Sequence, residues 1–175
     1  MPITPPQPGE YSDFNWEYIR RVPQGDVLKF MEKQFAESTK LLRGLSEEQG
    51  AIRPGPNEWS IKQVIGHMCD TERIFAYRAL RIARGDTTPL PGFDQDPYVA
   101  NGNFDQRSLS DLIDEFAAIR QSDLCLFRNL TSEAAERLGS ASNHPISVRS
   151  LVYMCAGHEH HHMESLRTVY LGLTE

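Results

Sequence analysis

Apolar residues recur at helical spacing in four long stretches of this 175-residue chain, and no stretch alternates convincingly with the two-residue period of a strand. The first runs from about 26 to 44. Val27, Met31, Leu41, Leu42 and Leu45 fall on or near one stripe, with Gln34 and Ser38 in its middle. The second opens at Ser60, where Ser60 and Gln63 fit a capping box and Trp59 can act as an apolar staple. Its inward face carries Ile61, Val64, Ile65, Met68, Phe75, Ala79 and Ile82, with Glu72 inside it and His67, Thr71 and Arg78 along its edge; it should end near Gly85. The third spans about 108 to 130. Its stripe of Leu109, Ile113, Phe116, Leu124 and Phe127 is broken by Arg120 and Asp123, whose spacing of three predicts an internal ion pair. The fourth starts near Ser147 and continues to about Leu171.

The connections complete the outline. Residues 1–10 carry four prolines and read as an extended arm, and the aromatic stretch 11–21 is expected to pack on the outside of the domain or to meet a partner. This divides the chain into an N-terminal arm, 1–24, and one bundle domain, 25–175. Residues 85–107 are loop-like, with Pro89, Pro91, Gly92, Pro97 and Gly102. A connection that long can run the length of a bundle, so that the helices on either side point the same way. Residues 131–133 read as a short cap and turn, and 140–145 as a loop holding His144 at the surface. The expected fold is all-α: a four-helix bundle with a long crossover between its second and third helices.

Composition narrows the class without changing it. A hydrophobic content of 39% with 24% charged residues suits one soluble domain with a proper core. The net charge of -6 argues against a dedicated nucleic-acid binder. No apolar run is long enough for a membrane span, and the first residues lack the basic and apolar regions of a secretory leader, so a cytoplasmic location is expected. Cys69, Cys125 and Cys155 form no CxxC pair and read chiefly as small core residues.

The chemistry concentrates in the fourth helix. Four of the six histidines lie between 158 and 162, and at about 100° per residue they do not share a direction. His158 and His162 fall on the inward stripe with Leu151, Cys155 and Leu166, whereas His160 points away and His161 lies on the flank. Two imidazoles one turn apart on one face can bind a single metal ion; the alternative is a pair of hydrogen-bonded core histidines. His67 is the candidate third ligand. If the second and fourth helices are antiparallel, it stands at nearly the height of His162, although its place at the edge of its stripe also suits a flank residue. Three neutral imidazoles would leave a divalent ion with open positions, the catalytic arrangement, where a water or a thiol could become a nucleophile. Glu72 is a candidate orienting group or base, or else a buried partner for Arg78 or Arg120.

The segments NEWSIKQVIGHMCDTERIFAYRAL around His67 and GHEHHHMESL around His158 and His162 resemble the DinB-like superfamily of metal-binding four-helix proteins. The resemblance covers about 25–171. It implies that His67, His158 and His162 are the three metal ligands, that the bundle runs up-down-down-up, and that a homodimer is common. It also implies kinship with bacillithiol- or mycothiol-dependent S-transferases. The expected function is therefore a divalent-metal-dependent transferase or hydrolase of a small molecule. Zn or Ni fits the ligand type, and a low-molecular-weight thiol is a possible co-substrate. The alternative is a non-catalytic, stress-related bundle that binds a metal or small ligand.

Overall fold

A computed structural model describes residues 2–173, so Met1 of the expected arm and the last two residues of the expected bundle domain lie outside the described residues. The four stretches are helices: α2 (Val27–Arg43), α4 (Ile61–Ala83) and α6 (Leu109–Arg128) end close to the expected positions. The fourth, α8 (Val148–Ser165), stops six residues short of the expected Leu171 as an α-helix but continues as a π-helical turn over Leu166–Tyr170. Local chemistry starts each one. Asp26, Ser60, Ser108 and Ser147 are the N-caps, each accepting from backbone amides of the first turn. At Ser60 the capping box is complete, because Gln63 Oε1 accepts the Ser60 amide.

Shorter elements fill the connections. The aromatic segment near the start is helical, α1 (Asp13–Ile19), and lies against α8. Next come α3 (Glu47–Gly50), α5 (Gln95–Asn101) with a 3₁₀ turn at Phe104–Gln106 inside the crossover, and α7 (Ser132–Glu136). The segment read as a loop over 140–145 is instead a two-stranded antiparallel hairpin, β1 (Leu138–Ala141) and β2 (His144–Ser147). Its two-residue turn places Ser142 and Asn143 at φ of 53° and 65°. That primed turn normally announces itself through glycine, so its signal here is faint.

Two apolar clusters fix the helix directions. One joins Val27 at the start of α2 to Ile82, Phe127 and Val148. The other joins Leu42 at the end of α2 to Ile61, Leu109 and Leu166. Helices α2 and α8 therefore run one way and α4 and α6 the other, which is up-down-down-up. The crossover returns the chain so that α4 and α6 can be parallel.

Between the clusters lies a buried ion network. The fully buried Arg120 donates to both oxygens of Glu72, at 2.5 and 2.7 Å, and to Glu159 Oε2 at 2.6 Å. Gln34 Nε2 donates to the same Glu159 oxygen at 2.7 Å, so each of the four helices contributes a member. The expected Arg120–Asp123 pair does not form, because the guanidinium reaches inward across the bundle rather than along its own helix. No helix among the described residues is long and apolar enough to cross a membrane.

Candidate metal centre

Antiparallel packing of α4 on α8 brings the second turn of α4 level with the last turns of α8. His67, His158 and His162 meet there. Nε2 of His158 lies 3.1 Å from Nε2 of His67 and 3.1 Å from Nε2 of His162, and the three potential ligand atoms all lie within 4.8 Å of one another. Nitrogens bound to one ion at about 2.1 Å would stand roughly 3.0–3.4 Å apart in octahedral or tetrahedral geometry, so the spacing fits a shared metal. An all-imidazole set suits Zn, Ni or another borderline divalent ion.

The electrostatics favour the ligand form. Burial, followed by the neighbouring histidines, holds His158 and His162 well below the ordinary histidine range. Burial, with a smaller contribution from His161, lowers His67 to about 4. All three are neutral at pH 7 and keep lone pairs for a cation. Thr71 Oγ1, one turn along α4, lies 3.4 Å from His67 Nδ1; accepting that N–H would leave Nε2 as the ligand atom.

His67 is buried at 3% exposure rather than lying at an edge, because α4 buries a wide face. The other two histidines of the run do not join the group: His160 faces the Phe30 ring at 6.0 Å and His161 faces Tyr18 at 5.7 Å. Neither does Glu72, both of whose oxygens accept from Arg120. Glu159 was not singled out in the sequence. α8 is buried on nearly all sides from Val148 to Glu159, and a single-stripe reading assigns such a residue to the outside.

Beside His67 and His158 opens a cavity of about 520 Å³. One wall is α1, through Phe14 and Tyr18, and the opposite side comes from the crossover and the hairpin. Tyr18 meets the His158 ring edge-on at 5.2 Å. This close docking depends on Gly157, where a Cβ would stand 2.0 Å from the Tyr18 carbonyl oxygen.

Comparison with known proteins agrees with this architecture. A family model described as the DinB superfamily matches residues 31–166. A protein of Oceanobacillus iheyensis, named as a candidate metal-dependent hydrolase, is 25% identical over 142 residues, covering 80% of this chain and 81% of that protein. The structure of YfiT from Bacillus subtilis superposes with a TM-score of 0.71 at 14% identity, covering 97% of this chain and 94% of that one. It is described as a probable metal-dependent hydrolase with an unusual four-helix bundle topology.

Proposed function

This chain belongs to the DinB superfamily, and from that premise we propose that it is a divalent-metal-dependent enzyme acting on a small molecule, either as a hydrolase or as a thiol-dependent S-transferase. The observation that carries the reading is the convergence of three neutral imidazole nitrogens within 4.8 Å beside an open cavity. His67, His158 and His162 would hold the ion. When bound, Zn or Ni would lower the pKa of a water or thiol in an open position and polarise an electrophile.

The chain's own residues supply the setting. Thr71 orients His67, and Tyr18 and Phe75 pack edge-on against His158, at 5.2 and 5.9 Å. Glu72 fits best as an anchor of Arg120 rather than as a base, since both its oxygens are taken. Hydrolysis is the first activity to test, because a related protein is named for it. A cavity bordering the histidines favours chemistry over the non-catalytic binding alternative. The proposal includes a cytoplasmic homodimer in which residues 1–24 form an arm against the 25–175 bundle.

Elemental analysis tests the ligand assignment. The purified protein is expected to hold about one divalent ion per chain, and His158→Ala and His162→Ala proteins to hold almost none. Full metal content in the double variant would remove the site. Sedimentation of the same samples should return two chains per particle. Assays with ester and amide substrates, and with an electrophile plus several thiols, then separate hydrolase from transferase. Metal-independent rates in all of them would leave only binding.

A further inference from the structure

Arg78 has a position the ligand assignment does not use. It stands on α4 eleven residues after His67, on the same face and about 16 Å further along the axis. It is buried at 6% exposure, yet it borders the same cavity as His67 and His158. The guanidinium is held in the cavity wall. Nη2 donates to the Pro91 carbonyl at 2.6 Å and to Ser142 Oγ at 3.4 Å, and the group sits 5.8 Å from the centre of the Phe93 ring. Phe93 and Ser142 line the cavity too.

Among the described residues no carboxylate pairs with this cation, and Nε and Nη1 donate no hydrogen bond to them. Arg120 and Arg149, the other buried arginines among the described residues, each have two carboxylates. A buried charge without a counter-ion is costly, and the remaining N–H groups suit a planar anion brought from outside.

We propose that Arg78 is the anchor for an anionic substrate, a monocarboxylate with an apolar body, bound with its carboxylate at Arg78 and its reactive end toward the histidines. This rests on the reading of the histidine cluster as the reactive centre. One guanidinium balances one negative charge, while the exposed Asp94 and Asp96 at the rim disfavour a dianionic phosphate. Phe14, Tyr18, Phe75 and Ile146 supply an apolar lining between the two ends. The role is recognition, through the guanidinium.

Titration calorimetry on the purified full-length chain, before and after chelator treatment, tests this with 4-phenylbutyrate and octanoate, each beside its primary amide, and with hexyl phosphate. At least one acid is expected to bind about tenfold or more tightly than its amide. The preference should survive metal removal, vanish in Arg78→Gln and persist in part in Arg78→Lys. Absence of any preference for acid over amide, or the same preference in Arg78→Gln, overturns the proposal. Tighter binding of hexyl phosphate than of either acid overturns the choice of a carboxylate. Should Arg78→Gln fail to fold, the Arg78 Nε–H resonance of the ¹⁵N-labelled native chain decides. It is expected to move with the acid and not with the amide, and an unmoved signal also overturns the proposal. Failure of the metal assignment would appear separately, as missing metal with the acid preference intact.

Discussion

Asp123 is an acid kept inside the bundle without a counter-ion of its own. Burial and then the charge on Glu72 raise its pKa from 3.8 to about 7, and Oδ2 has no hydrogen-bond partner among the described residues. A carboxyl whose folded pKa is raised stabilises most when protonated. That contribution is complete below the unfolded value near 4 and is lost as pH rises toward 7. Asp123→Asn imitates the protonated form, so it should gain on the native protein by on the order of 2–4 kcal/mol between pH 4 and pH 8. Urea melts at the two pH values measure it, and a pH-independent difference between the proteins would refute it. The neutral histidines act in the opposite sense, losing stability as pH falls from their ordinary range toward 4, and they cancel in this comparison because both proteins carry them.

Among the elements, α1 has the most specific docking. Its approach to α8 leaves no room for a side chain at 157, so Gly157→Ala must push the Tyr18 backbone away. The expected cost is about 1–3 kcal/mol. Hydrogen exchange should quicken in the amides of Asp13–Ile19 while α4 and α6 stay protected; unchanged protection in α1 would contradict the packing account. The sequence foretells elements unevenly for physical reasons. Ser60 with Gln63, and the periodic stripes, are local signals, and they located the long helices to within a few residues. The hairpin was hidden because its turn uses Ser142 and Asn143 instead of glycine. His158 and His162 were readable from phase, since i and i+4 share a face whatever the surroundings. His67 needed its family resemblance, because α4 buries too broad a face for phase to separate edge from centre. Spacing along α6 pointed Arg120 to Asp123, whereas Glu72, weighed from the sequence as a buried partner for Arg78 or Arg120, does pair with Arg120; Glu159, 39 residues away on another helix, left no local signal.

At the scale of the whole molecule, Arg120 is the point through which the four helices communicate. Arg120→Met would strand Glu72 and Glu159 in the core, and a loss of about 3–5 kcal/mol is expected from guanidinium melts. Replacing both glutamates by methionine in that background should recover most of it, because the loss comes from uncompensated charge; no recovery would mean that Arg120 acts mainly through packing. The cavity has a different dependence on the fold. The two clustered histidines that line it, His67 and His158, come from helices this network ties together, while much of its lining comes from α1, the crossover and the hairpin, which lie outside the four-helix frame. On the proposed function, the metal ligands and the Arg78 anchor belong to the long helices, while much of the apolar lining is held by separable connections. Exchanging the crossover or the first 20 or so residues between relatives should therefore change which apolar body is preferred while the histidine cluster and the carboxylate preference stay. One bundle of this kind can diversify by changing its connections while its helices stay the same.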